Sequence, residues 1–204
     1  MKNKLLYIQT FGCQMNVHDS EQIVSLLKAS GCQKTENEKL ADLIMLNTCS
    51  IREKAAQKVY SQLGRFRYLK EQNPDLIIGV VGCLAQHLGN KFHKRMDYLD
   101  FVCGTHNIHQ LPEIIDSVAR DRQKITRIDF HPSLSSMSIF VPPRDGQISA
   151  FVTIMQGCNN FCAYCVVPYL RGREISRTPA DILDEIGRLA DAGVMEVTLL
   201  GQNV

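Results

Sequence analysis

The chain has 204 residues, 45% of them hydrophobic, which is room for one or two domains with a sizeable core and excludes a disordered chain. Its 23 Lys and Arg against 21 Asp and Glu leave a net charge of +2, so no global field draws it to nucleic acid, and such contact must rest on local basic patches. Eight cysteines are too sparse for a small disulfide scaffold and suit metal binding in a reducing compartment, which makes the cytoplasm the expected address.

The opening Met1-Lys2-Asn3-Lys4 is basic, but the apolar run behind it stops after four residues, too short for a signal peptide. No stretch approaches the roughly 18 apolar residues of a membrane span, so a soluble chain is expected. From there to about Asp121, short apolar runs alternate with helical periodicity, the pattern of a mostly parallel α/β sheet. Strands are expected at Leu5 to Gln9, Gln33 to Thr35, Leu43 to Leu46, Leu76 to Val81 and Phe101 to Cys103. Helices are expected at Asp19 to Ala29, Ile51 to Gln72, Ala85 to Met96 and Pro112 to Arg120, with Gly31 and Pro74 at helix stops.

Three cysteines follow directly on the ends of these strands: Cys13 after Phe11-Gly12, Cys49 after Asn47-Thr48, and Cys83 after Gly82. In an open parallel sheet the carboxyl ends of the strands share one edge, where ligands bind. Three thiols distant in sequence therefore converge on one candidate cluster site, the competing reading being small buried cysteines that fill the sheet edge. Cys32 and Cys103 are read as structural, although Cys103 stands where a fourth ligand would.

Arg122 to Gln147, with Pro132, Pro142, Pro143, Gly146 and several serines, reads as a linker, giving domains at 1–121 and 149–204 joined by 122–148. Beyond it come a strand at Ala150 to Met155, a helix at Ala180 to Ala192 behind Thr178-Pro179, and a strand at Glu196 to Leu200, the opening of a β/α barrel that then stops. The chain reads as a fragment. Between the barrel elements lies Cys158-Asn159-Asn160-Phe161-Cys162-Ala163-Tyr164-Cys165, three thiols in one tight loop. A four-iron cube normally takes four thiolates. With no Cys or His after Cys165, one iron is left open for a substrate. A closed structural zinc site is the alternative, and it usually asks for four ligands in two pairs.

Gly157 to Arg177 (GCNNFCAYCVVPYLRGREISR) resembles the CxxxCxxC loop of radical S-adenosylmethionine enzymes, and of these the methylthiotransferases are the nearest in pattern. Thr10 to Asn16 (TFGCQMN), Asn47 to Ala55 (NTCSIREKA) and Gly82 to Gln86 (GCLAQ) resemble the amino-terminal domain of the same family. The resemblance implies two 4Fe-4S clusters, an auxiliary one on Cys13, Cys49 and Cys83 and a radical-generating one on Cys158, Cys162 and Cys165. Its open iron would chelate S-adenosylmethionine. Tyr164 would meet the adenine through its backbone, and Gly201, Gln202 and Asn203 would lie at the methionine end, where the competing reading is a plain turn. NTCSIREKA and CVVPYLRGRE look most like the branch that methylthiolates carbon 2 of isopentenylated adenosine beside the tRNA anticodon. The ribosomal-protein and threonylcarbamoyladenosine branches are less similar. The implied partners are a tRNA substrate and a reduced flavodoxin or ferredoxin-type electron donor, for a monomer with no membrane association. A closed-cluster electron carrier or redox sensor is the rival of another class.

Three basic groups remain: Arg65, Arg67 and Lys70; Lys91, Lys94 and Arg95; and Arg171, Arg173 and Arg177, the last beside the expected active-site mouth, where RNA phosphate or the cofactor carboxylate would meet it. The six histidines show no paired spacing beyond His106 and His109 and are read as surface or core residues rather than ligands or bases.

Overall fold

In the computed structural model, which describes residues 3–50, 53–130 and 137–204, with the side chains of 53–56 outside the description, the chain divides into two units, Met1–His131 and Pro132–Val204. The first is built on β1 (Leu5–Phe11), β2 (Gln33–Lys34), β3 (Leu43–Thr48), β4 (Ile77–Val81), β5 (Phe101–Cys103) and β6 (Ile125–Arg127), all paired in parallel in the order β2-β1-β3-β4-β5-β6. Every residue of β3 and β4 is buried, because central parallel strands covered on both faces are apolar throughout rather than alternating.

Successive side chains of a strand point to opposite faces. Ile44, Leu46, Ile78, Val80 and Val102 share one face and pack against Val59, Leu63 and Phe66 of α2 (Glu53–Gln72), whose 59, 63, 66 spacing makes one helical stripe. Leu84 and Ala85 of α3 (Cys83–Leu88) and Phe92 of α4 (Lys91–Arg95) complete that layer. The opposite face is covered by α1 (Gln14–Ala29) and by α5 (Leu111–Asp121), which buries Leu111, Ile114, Ile115 and Val118. Gly79 is small by necessity: a Cβ there would lie 2.0 Å from the Phe101 ring.

The α/β architecture expected from the sequence is present, with four local differences. Helix α1 starts at Gln14 rather than Asp19, directly behind Cys13. The single helix expected at Ala85 to Met96 is two short ones, broken at Gly89, whose φ of +46° interrupts the spiral. Ile125–Arg127, read as the opening of the linker, is instead the sixth strand of the sheet. The strand expected at Ala150 to Met155 is divided at Ile154, its two halves pairing with different partners. Ile51, Arg52, Pro132, Ser133, Ser135 and Ser136 lie outside the described residues.

In the second unit β7 (Ser149–Thr153) pairs in parallel with β10 (Glu196–Leu200), and β8 (Met155–Gln156) pairs antiparallel with β9 (Ile175–Ser176), with the short α6 (Val167–Arg171) between these two. Between β9 and β10 runs α7 (Pro179–Asp191), capped by Thr178, whose hydroxyl accepts the Asp181 N–H at 3.2 Å, with Pro179 pre-set at the first turn. Its Ile182, Ile186 and Leu189 close over Val152, Val194 and Val197. One strand–helix–strand unit of a parallel β/α array is thereby complete. Among the described residues, no helix is long and apolar enough to cross a membrane.

Candidate iron-sulfur and cofactor sites

Strand register decides where the first three cysteines stand. Phe11 lies opposite Thr48, Asn47 opposite Val81, and Val81 opposite Cys103. Cys13, Cys49 and Cys83 follow the tips of three adjacent strands by two, one and two residues, so the sheet brings them to one edge. The turns are tied together: Cys49 donates its N–H to Phe11 O at 2.8 Å, Gly82 donates to Cys103 O at 3.2 Å, and Ser50 Oγ lies 2.9 Å from His87 Nδ1 on α3. Cys13 occupies the N-cap of α1. It is exposed, whereas Cys49 and Cys83 are buried. None of the eight cysteines is in a disulfide.

Cys103, on the neighbouring strand tip, differs in kind. It is fully buried, and desolvation pushes its thiol well above the ordinary range, so it stays protonated.

Sequence reading assigned no role to the groups beneath these turns. Asn16 and Asn47 are both 0% exposed and hydrogen-bonded to each other, with the Asn16 amide donating to Asn47 Oδ1 at 3.2 Å. The available signal was Asn47 itself, a polar residue ending the apolar run Leu43 to Leu46.

The second site lies behind β8. Gly157 (φ +83°) turns the chain into Cys158, whose N–H donates to Gly172 O at 3.2 Å. A Cβ on Gly157 would meet Arg173 O at 2.2 Å, so only glycine lets the two arms of the loop approach. Asn160 donates its N–H to Cys158 Sγ at 3.5 Å, and Cys165 donates to Cys162 O at 2.9 Å. Cys158 is buried, Cys165 half-buried and Cys162 exposed, an open-faced loop. Tyr164 is 94% exposed. Phe161, at φ +48°, stacks edge-on to Tyr169 with centroids 5.9 Å apart.

Gln202, just past β10, reaches this loop: its carboxamide oxygen accepts the Gly157 N–H. Its Nε2 is buried without a hydrogen-bond partner, as is the Nε2 of Gln156. Gly201 packs so closely on Met155 that a Cβ would lie 2.6 Å from its Cγ, and Asn203 is exposed.

The arginines behind the loop do not act as one basic cluster. Arg177 is buried, paired with Glu185, and donates to Thr153 O at 2.9 Å and Asp181 O at 3.1 Å, so it braces α7 rather than facing a ligand. Arg171 is also buried, leaving Arg173 exposed beside the Phe161 ring at 5.8 Å. On α2, Arg65 pairs with Glu38 at 2.7 Å, Arg67 with Glu71 at 3.0 Å and Lys70 with Asp100 at 2.8 Å. Arg95 lies over Tyr60 at 4.1 Å.

Among the described residues, no three Cys, His, Asp or Glu groups gather round a single point as one metal ion requires. A four-iron cube makes a different demand, since each thiolate takes its own iron and the sulfurs stand correspondingly farther apart. Both cysteine sets suit it in donor chemistry. The orphaned amide donors of Gln202 and Gln156 suit a carboxylate-bearing ligand beside the second set.

Residues 5–104 match the Uncharacterized protein family UPF0004, and residues 152–204 match the Radical SAM superfamily. Over all of this chain, a tRNA-2-methylthio-N(6)-dimethylallyladenosine synthase of Syntrophus aciditrophicus is 60% identical, the match covering 44% of that protein. Synthases of the same name from Buchnera aphidicola (50% identical, 100% of this chain, 46% of the relative) and Citrobacter koseri (52%, 98% and 42%) are similar throughout. The chain carries a UPF0004 domain followed by a Radical SAM domain. It spans less than half the length of these relatives. The two matches divide as the cysteines do, UPF0004 enclosing Cys13, Cys49 and Cys83, and Radical SAM enclosing Cys158, Cys162 and Cys165. Membership of the radical SAM superfamily implies a 4Fe-4S cluster and S-adenosylmethionine.

Proposed function

We propose that this chain carries both cluster sites of an enzyme that methylthiolates carbon 2 of N6-isopentenyladenosine beside the tRNA anticodon. The observation that carries the reading is the pairing, in one chain, of three cysteines at adjacent parallel strand tips with a CxxxCxxC loop behind β8. Cys13, Cys49 and Cys83 hold an auxiliary 4Fe-4S cluster, and Cys158, Cys162 and Cys165 hold a second, with the backbone at Tyr164 and the Gly201-Gln202-Asn203 turn set against S-adenosylmethionine. When bound, that cluster and S-adenosylmethionine supply one-electron chemistry able to take hydrogen from a carbon that offers neither an acidic proton nor a leaving group.

The chain's own residues do the positioning. Gly157 and Gly172 fold the loop back on itself, Gln202 braces it through the Gly157 N–H, and the buried Cys158 anchors one corner while Cys162 faces outward. Tyr164 and Arg173 are among the exposed groups of the loop able to meet a nucleotide. A reduced flavodoxin or ferredoxin-type protein supplies electrons, and the enzyme works as a cytoplasmic monomer.

The test is iron and sulfide content with electron paramagnetic resonance on the anaerobically reconstituted protein. About eight irons in two four-iron clusters, with one signal shifted by S-adenosylmethionine and lost on replacing Cys158, Cys162 and Cys165, is the expected result. Clusters indifferent to S-adenosylmethionine point to an electron carrier, and zinc in their place to a structural site.

A further inference from the structure

We infer that Asn16 and Asn47 form a carboxamide pair that holds the three cysteine-bearing turns of the sheet edge in register for a cluster, a positioning role that rests on the ligand assignment proposed above. Both side chains are completely buried, where an amide is costly unless its hydrogen bonds are made. Asn47 Nδ2 donates to Asn16 O at 2.8 Å and to Ser20 Oγ at 2.9 Å. A main-chain carbonyl accepts only from a donor, so this bond fixes which end of Asn47 is nitrogen. The Asn47 oxygen must then face Asn16 Nδ2, at 3.2 Å. The Asn16 oxygen is left facing Cys13, where it accepts the main-chain N–H at 3.3 Å and lies 3.4 Å from Sγ. One chain of bonds thus orients both amides and ends on a cysteine.

All three turns rest on this pair. The Cys13 turn is bonded to Asn16, and Gly12 lies against the same side chain, where a Cβ would come within 2.2 Å of Oδ1. The Cys49 turn grows from Asn47 itself, two residues earlier, and is tied across to β1 through Phe11 O. The Cys83 turn presses its Gly82 onto both amides: a Cβ there would lie 2.3 Å from Asn47 Oδ1 and 3.2 Å from Asn16 Nδ2. Groups that orient ligands in this way set how firmly a metal centre is held.

The experiment uses the chain with Cys158, Cys162 and Cys165 replaced by Ala, so that iron reports the sheet-edge site alone. Asn47→Ala, Asn16→Ser and Ser20→Ala are reconstituted anaerobically, and iron release to a chelator is timed beside the electron paramagnetic resonance of the reduced cluster and the thermal unfolding of the metal-free chain. Ser20 is the control, since its hydroxyl shares the network through Asn47 and Thr10 and makes no hydrogen bond to a cysteine. Asn47→Ala is expected to release iron on the order of 10- to 100-fold faster than the parent, the range for groups that orient metal ligands, with a shifted resonance. Ser20→Ala is expected to keep the parental rate even where its unfolding temperature falls. Should Asn47→Ala not fold, Asn16→Ser, which keeps a hydroxyl for the Cys13 N–H and loses the amide link, is read in the same way. A parent that holds a cluster while its asparagine variants release iron at the parental rate, or no faster than Ser20→Ala, overturns the inference alone. A parent that takes no iron at this edge removes the ligand assignment and the inference together.

Discussion

The carboxamide of Gln202 bonds through its oxygen to the Gly157 N–H and leaves its buried Nε2 without a partner. The residue after β10 therefore braces the cysteine loop with one end and keeps a donor in reserve at the other. A buried donor lacking an acceptor is costly, and a ligand carboxylate would satisfy it. Gln202→Ala is expected to weaken S-adenosylmethionine binding by about 10- to 100-fold, the equivalent of one hydrogen bond to a charged group. Titration of the cofactor-shifted resonance reads this, with iron content unchanged. An unaltered affinity would leave Gln202 as a loop brace only.

Arg177 makes a different prediction from the one its place in the sequence suggests. Its side chain is 5% exposed and that of Glu185 10%, so the pair is almost wholly removed from water. Glu185→Ala would strand the guanidinium, and the expected loss is about 3–5 kcal/mol from the second unit. Equilibrium urea unfolding measures it. Arg173→Ala, at an exposed position, is expected to leave stability within about 0.5 kcal/mol of the parent.

The contrast between those two arginines shows what the sequence could and could not say. Strand runs such as Leu43 to Leu46 and Phe101 to Cys103 announce themselves by apolar content, and the convergence of Cys13, Cys49 and Cys83 follows once the sheet is parallel, because parallel strands share a carboxyl edge. Pairing partners distant in sequence are another matter. Nothing in Arg171-Gly172-Arg173 and Arg177 tells which cation turns inward to meet Glu185, and nothing local in Ile125–Arg127 shows that a three-residue edge strand will pair with β5. The Asn16–Asn47 bond spans 31 residues and appears in no periodicity. It was legible only as a polar residue out of place in an apolar strand.

Two glycines separate backbone strain from backbone entropy. Gly82 sits at φ +88° with Asn47 Oδ1 where a Cβ would go, 2.3 Å away, whereas Gly64 lies in α2 with nothing within 4 Å. Gly82→Ala is expected to cost at least about 1–3 kcal/mol through the left-handed backbone, before the collision is counted. Gly64→Ala is expected to stabilise by about 0.5–1 kcal/mol, since an exposed helix interior favours alanine. Chemical denaturation of the metal-free chain would show opposite signs, and a neutral Gly82→Ala would contradict the tight contact with the asparagine pair.

The fully buried Cys103 gives the first unit a pH dependence of definite sign. Desolvation holds its thiol protonated in the fold, while in the unfolded chain it ionises with the ordinary value near 8.5. A folded-state pKa raised above the unfolded one means stability fully present below about pH 8.5 and lost as pH rises, because the unfolded state binds fewer protons there. The slope contributed by this one thiol approaches about 1.4 kcal/mol per pH unit well above pH 8.5. Cys32, raised by burial, adds in the same direction, and Tyr98, pushed up to about 12 by desolvation, joins above pH 10 or so, its unfolded value. Urea unfolding of the reduced, metal-free chain between about pH 7 and pH 10 reads the slope. Cys103→Ala is expected to be less stable at pH 7 through lost packing yet shallower in its alkaline decline. An unchanged slope in that variant would mean that Cys103 is not the group being titrated, and that its thiol meets water in the native fold.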